Sequence, residues 1–427
     1  MIRRLLAGML SALLLTALSS LFCFNLGHGS IFRRLNFADN TLSDILYQQS
    51  GAYNPDIVVI GIDEASFDKL GYPPWSRRNM AQAIQILNAD PDFRPAVIGI
   101  DAIYAGESSD PEADQLLAEA AQLGNVVVAS EAIFGPALSE DQNGLFSAVS
   151  RAVIAFDAPY TALKEAAATG HINVMEDGDG IIRHALFYVD SPEDGRISSF
   201  ARVLYERWCE ASGQTIASPP ETESGFFYLP FSSPSEADPY SDGYNFFDLL
   251  DGAISPSYYR NKIVLIGLHA AGSDCYPTAL DHASPMYGID IHANTIEAFQ
   301  KGFFPQEVSP AIQVSILFVL FLCSALIFRQ RRFLPSLLLW VGVSAGWVVF
   351  CKGCYLNGHI FHVLWAPAGV SLLFLVSLLW NYFRTQKEKL LIEATFGRYI
   401  DPAVKKTLLS QLSTEKGGDP LQLGGQT

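Results

Sequence analysis

Apolar positions along this chain fall into two kinds of run, and the chain divides where one kind gives way to the other. Residues 5–24 carry no charge and suffice for one helix across a bilayer, which takes about 20 residues. Runs of the same kind recur at 310–328, 333–350 and 360–383. Between them lie much shorter apolar runs, 57–62, 97–100, 126–129 and 263–266, dense in Val and Ile. An unbroken apolar run of that length predicts a parallel strand covered on both faces. Helical spacing fills the gaps. Met80, Ile84 and Leu87 mark one face of a helix after Trp75 and Ser76, and Asp110-Pro111 caps another whose Leu116, Leu117, Ala120 and Leu123 face inward. A further helix, 292–301, leads almost directly into the second apolar cluster.

The pentapeptide VIGID occurs twice, at 59–63 and 97–101, with a helical pattern between the copies. Strand, crossover helix and strand make a right-handed βαβ unit, so the two copies are expected parallel in one sheet. Asp63 and Asp101 then leave the sheet at its carboxyl edge, where open α/β sheets bind ligands and where carboxylates also cap helices and brace loops. Residues 170–184 read as strand, tight acidic turn and strand, because Asp177-Gly178 and Asp179-Gly180 supply the backbone freedom of a hairpin turn. The acidic turn lacks the flanking helices and the terminal Glu of a calcium loop. Residues 267–292 hold His269, Asp274, Cys275, Asp281, His282 and His292 without zinc-site spacing, which favours hydrogen-bonded loop residues over a metal centre. Trp75 and Arg77, beside a Pro-rich loop, are candidates for an aromatic or anionic ligand, with core packing and surface charge as the alternative.

Composition enters mainly through charge and hydropathy. A 49% share of hydrophobic residues in 427 places part of the chain in lipid. Its formal charge of −16, from 44 acidic and 28 basic residues, excludes a nucleic-acid partner, which needs clustered Lys and Arg. Six cysteines are too few for a disulfide scaffold. Cys209 and Cys275 can pair in an oxidising compartment, and Cys351 and Cys354 are either a local disulfide or free thiols in a link between spans. The first apolar run keeps bulky residues to its end, which fits an uncleaved anchor better than a signal peptide with a small-residue cleavage site. Arg3 and Arg4, then Arg329, Arg331 and Arg332, then Arg384, Lys387 and Lys389 put both termini inside and the large domain outside. No Asp, Glu, Lys or Arg lies within the three later runs, which argues against an ion pathway and for anchoring and transmission.

The ordered set VVIGIDEAS (58–66), GYPPWSR (71–77), VIGID (97–101), GNVVV (124–128), GHINV (170–174), DGIIR (179–183), YRNKIVLIG (259–267) and GIDIHAN (288–294) resembles the CHASE domain of type 2. That family is an extracellular sensory module of bacterial cyclases and histidine kinases. The resemblance implies one N-terminal span, the sensor, three further spans and a cytoplasmic output, the order that hydropathy and charge give independently. The expected fold is an α/β extracytoplasmic domain with a mostly parallel sheet plus four transmembrane α-helices, one N-terminal and three C-terminal. The expected segments are an anchor (1–24), the sensor (25–309), three spans (310–383), a cytoplasmic helical connector (384–412) and a linker (413–427).

FGRYIDPAV (396–404) resembles the connector before class III adenylate or guanylate cyclase domains, with Phe396, Gly397, Arg398, Tyr399, Asp401 and Pro402 as its signature. Asp401 suits an N-cap and Pro402 the first helical position. Residues 423–427 resemble the start of such a catalytic domain, whose metal-binding carboxylates are not in this sequence. The expectation is therefore a sensor truncated before its cyclase, without activity of its own and without a cofactor; a divalent metal and ATP or GTP would belong to the cyclase domain. A membrane-tethered α/β hydrolase is the alternative, and no Gly-x-Ser-x-Gly elbow supports it. The expected partners are the membrane, an extracytoplasmic ligand of unknown identity and, by the resemblance, a second copy of the chain. The candidate ligand pocket comprises Asp63, Trp75, Arg77, Asp101, His269 and Asp274.

Overall fold

A computed structural model describes residues 2–23, 30–49, 54–140, 146–191, 195–220, 225–232, 240, 243–328 and 333–396. Two helices open the chain, α1 (Ile2–Cys23) and α2 (Ser30–Tyr47). The strand β1 (Ile57–Ile62) follows, then α3 (Glu64–Leu70), α4 (Arg77–Leu87), β2 (Val97–Asp101) and α5 (Pro111–Ala121). Next come β3 (Val126–Glu140), β4 (Phe146–Asp157), α6 (Thr161–Ala166), β5 (Ala168–His171), β6 (Met175–Glu176) and β7 (Ile182–Leu186). A small hairpin of β8 (Tyr188–Ser191) and β9 (Gly195–Ser198) precedes α7 (Phe200–Ser212), β10 (Phe226–Tyr228) and α8 (Phe246–Leu250). The domain closes with β11 (Ile263–Leu268), β12 (Cys275–Tyr276), β13 (Met286–Tyr287), α9 (Gly288–Lys301) and β14 (Gln306–Glu307). The chain ends in α10 (Pro310–Phe328), α11 (Phe333–Tyr355), β15 (His359–Ile360) and α12 (Trp365–Phe396).

These elements form two compact units, one of residues 26–313 and 348–364, the other holding α1, most of α10 and α11, and α12. In the first unit, β1, β11, β2, β3 and β5 lie side by side and parallel. The two VIGID copies are thus parallel in one sheet, but β11 is inserted between them, pairing Gly61 with Gly267 and Gly267 with Asp101. Residues 57–62, 97–100, 126–130 and 263–267 of these strands are all buried. Ile57, Val59, Val97, Val127 and Leu265 pack under α7 and α9, while Val58, Ile60, Ile98, Val128 and Val264 pack under α4, α5 and α8. That two-sided cover is why the runs are apolar without alternation.

Caps stop and start the helices where the sequence suggests. Asp63 accepts from Ser66 N at 2.8 Å at the start of α3, and Asp110 accepts from Ala113 N at 3.1 Å at the start of α5, each contact contributing about 1 kcal/mol. Leu123 lies beyond the end of α5 and is exposed, so the inward face is made instead by Ala113, Leu117, Ala120 and Ala121. The 126–129 run is the first part of a longer strand, for β3 continues past the sheet and pairs antiparallel with β4. The strand expected from residue 170 is divided, β5 joining the parallel sheet and β6 pairing with β7 across the acidic turn. Gly170 touches α7 so closely that a Cβ there would lie 2.6 Å from the Phe200 Cα.

In the helical unit, Pro310–Phe328, Phe333–Tyr355 and Trp365–Leu391 are long and apolar enough to cross a membrane. The apolar part of α1, Gly8–Leu21, is shorter. Trp340 donates to the Ser371 hydroxyl at 2.8 Å and stacks on Phe374, tying α11 to α12. The run expected from residue 360 divides differently, because Ile360 belongs to β15 and the helix begins at Trp365. Beyond residue 383 nothing interrupts it: span and connector start are one helix of 32 residues.

Candidate functional site

A cavity of about 950 Å³ opens at the carboxyl edge of the parallel sheet. Asp101 enters it from the end of β2, Leu268 from the end of β11, Glu131 from β3, and Ile172 to Val174 from the loop after β5. Two glycines make room for two acids. A Cβ on Gly267 would lie 2.9 Å from the Asp101 Cβ, and one on Gly288 would overlap the Asp274 carboxylate. Asp274 is held in the left-handed region, φ 47°, and its carbonyl accepts from Gly288 N at 2.8 Å, which fixes the acid beside the start of α9.

Half-buried Asp101 and buried His292 form the floor, whereas Glu131, Glu176 and Asp274 are exposed around the mouth. Burial, then the Asp274 and Glu131 charges, push the Asp101 carboxyl up to about 7. Burial pushes His292 down to about 4, so its imidazole is neutral at physiological pH. His171, 1% exposed, is pushed down to about 3 by burial and by His292, and neither of its ring nitrogens has a hydrogen-bond partner among the described residues.

The six residues singled out for a pocket are therefore distributed. Asp101 and Asp274 line this cavity. His269 sits nearby without lining it, its Nε2 3.3 Å from Asp290 and its ring 3.9 Å from that of Tyr287. Asp63 caps α3. Trp75 donates to the Gly71 carbonyl at 2.6 Å and stacks on Phe246. Arg77 binds Asp114 at 2.8 Å and lies 4.4 Å from the Tyr160 ring centre, a brace between α4 and α5. Glu131 and Glu176 had no periodicity or motif to reveal them, and His292, named among the ligand types of residues 267–292, lines the cavity with Asp274; only the strand-edge rule pointed toward this neighbourhood.

A second polar centre lies around α2, which the apolar pattern did not reveal. Asp44 of α2 and Arg183 of β7 are each 3% exposed and paired at 2.9 Å. The guanidinium also meets Asp177 at 2.9 Å and Asp179 at 2.8 Å, so the acidic turn that superficially resembles a calcium loop instead surrounds an arginine. Tyr228 donates to Asp44 at 3.0 Å, and His282 approaches the same carboxylate at 2.9 Å. One turn earlier, Asp39 accepts from His362 and, at 2.7 Å, from Leu364 N. Tyr47 donates to the Phe361 carbonyl at 2.6 Å and stacks on Tyr355, and Lys352 donates to the Leu46 carbonyl at 2.7 Å. Gln313 accepts from His362 N at 3.1 Å, and β14 pairs with β15. This one helix is thereby bonded to β7 of the antiparallel sheet β10-β7-β6, to the end of α11 and to the link before α12.

Cys209, Cys275, Cys351 and Cys354 are free thiols. Among the described residues no group of three or more His, Cys, Asp or Glu is arranged to hold a metal ion. Phe396 is the last described residue of α12, and Gly397, Arg398, Tyr399, Asp401 and Pro402 lie outside the described residues.

Comparison with known proteins adds the family. A family model described as the CHASE2 domain matches residues 13–328, most of the chain. No curated protein and no solved structure gives a match. An α/β domain built on a mostly parallel sheet, three helices able to span a membrane and this match have one reading: the chain belongs to the CHASE2 family, an extracellular sensor domain carried on membrane helices.

Proposed function

We propose that the chain is a bacterial inner-membrane receptor that binds a solute outside the cell and passes the event to a cytoplasmic nucleotide cyclase. In this reading α1 is a fourth span, both termini are cytoplasmic, and two copies act together because class III cyclase sites form between two catalytic domains. The observation that carries it is the bonding of α2. Asp44 holds the small antiparallel sheet of β6, β7 and β10 through Arg183 on β7, while Asp39 and Tyr47 hold the link between α11 and α12. A shift of that antiparallel sheet is therefore passed through α2 to the link. The ligand supplies the difference in affinity between two arrangements that signalling requires.

The test is a chimera of the full chain followed by a class III cyclase domain, expressed in a bacterium lacking its own cyclase. Asp39→Asn and Tyr47→Phe remove one bond each and leave the sensor sheet and its cavity intact. Transmission through α2 predicts that both alter cyclic nucleotide output at unchanged membrane levels of protein. Output equal to the parent chimera in both variants would sink the idea.

A further inference from the structure

The cavity at the sheet edge has a chemistry that narrows its ligand, an inference resting on the sensing role proposed above. Its volume of about 950 Å³ is that of a small-molecule site and far exceeds a single hydrated ion, since one water occupies about 30 Å³. Among the described residues that line it, four are carboxylates, Asp101, Glu131, Glu176 and Asp274, and none is Lys or Arg. Nearby arginines are committed elsewhere, Arg77 to Asp114 and Arg183 to its three aspartates. The walls between the acids are apolar, including Phe134, Ile172 and Leu268.

The independent observation is His292. It is 7% exposed, lines the cavity, and its side chain makes no hydrogen bond to a described residue; its ring meets the edge of Phe200 at 5.5 Å. Its ring nitrogens are not among the fully enclosed polar atoms, so they are reached from the cavity, where a ligand N–H can donate to the neutral imidazole. The acids do not converge on one point, so their charge is matched by several separated cationic centres better than by one metal ion.

We propose that this cavity is a receptor site for an aliphatic polyamine, with Asp101 and His292 receiving an ammonium group at the floor, Glu131, Glu176 and Asp274 receiving others around the mouth, and the methylene chain lying on the apolar walls. An anion meets only repulsion there, and an uncharged sugar leaves the carboxylates uncompensated.

The experiment is thermal unfolding and calorimetric titration of the full chain in detergent, with spermidine, 1,4-diaminobutane, Mg²⁺ alone, glutarate and glucose as probes. The expected result is a saturable rise in Tm with spermidine, and binding at least tenfold weaker in Asp101→Asn and in Glu176→Gln. His292→Phe, which keeps a ring at that position, weakens it also. Equal spermidine effects in all three variants, or a Mg²⁺ effect of the same size that they abolish, overturn the polyamine assignment. Glutarate or glucose binding that the variants abolish overturns it while leaving the sensing role intact. No response to any probe overturns the polyamine assignment, and the cyclase chimera then decides the sensing role separately.

Discussion

Asp101 is expected to make the protein less stable, and the pH dependence of that cost can be worked out. Its carboxyl stands at about 7 instead of 3.8 because burial, Asp274 and Glu131 disfavour the anion. A rise of that size corresponds to about 4 kcal/mol at full value. The side chain is open in part to the cavity, and solvent screening there reduces the figure to about 2 kcal/mol. The sign follows from proton counts. Between pH 4 and 7 the folded protein holds a proton that the unfolded chain has lost, so this group's contribution to stability is fully present below about pH 4 and declines up to pH 7. Asparagine imitates the protonated acid at every pH. Asp101→Asn should therefore match the parent below about pH 4, begin to exceed it slightly by pH 4.5, and exceed it fully above pH 7. At about 2–4 °C per kcal/mol for a domain of this size, the gain in Tm at pH 8 is about 4–8 °C. Differential scanning fluorimetry of the full chain in detergent, without added ligand, reads this directly. A variant less stable than its parent at pH 8, or one whose gain is the same at pH 4.5 and 8, would refute the assignment of Asp101 as an uncompensated buried acid. The same substitution is expected to weaken spermidine, so stability and binding should move in opposite directions at one residue.

Arg183→Met leaves Asp44, Asp177 and Asp179 facing one another without a cation, and unfolding of the purified chain should show a loss of about 3–5 kcal/mol. At His362, burial lowers the imidazole but the hydrogen bond and charge of Asp39 outweigh it, so its net position is raised. Its contribution is complete below about pH 6.5 and lost as pH rises through the raised value; His362→Gln should cost about 2 kcal/mol at pH 6, shrinking by pH 9, in the same scan. Gly170→Ala places a methyl against the Phe200 backbone, and a loss of about 1–3 kcal/mol is expected, whereas an unchanged denaturation midpoint would show that α7 can yield.

The central strands were legible because burial on both faces leaves an apolar run that no other element of that length shows. Their order was not, since β11 comes far later in the chain and its place between β1 and β2 is decided by packing of α7 and α9 rather than by any local signal. The helix α2 escaped notice because its buried side includes Asp39 and Asp44, which break the apolar stripe that helix reading relies on. In the cavity, Asp101 followed from the strand-edge rule, while Asp274 and His292 stood only among the scattered ligand types of residues 267–292, whose spacing did not show that these two meet Asp101. Trp75 and Arg77 looked equally suited to a ligand, and their partners Phe246, Tyr160 and Asp114 are distant in sequence.

The absence of a break in α12 has a mechanical consequence. Its 32 residues span about 48 Å, and such a rod neither stores nor absorbs motion at the membrane face. A tilt of about 5° imposed at Trp365 displaces Phe396 by about 4 Å, and a twist arrives with its angle preserved. Phase along the rod then matters as much as length. One residue inserted after Thr385 turns everything beyond it by about 100°, and four restore the facing to within about 40°. An output reading that facing would rise and fall with the helical period, like a lock that opens at one setting of its shaft.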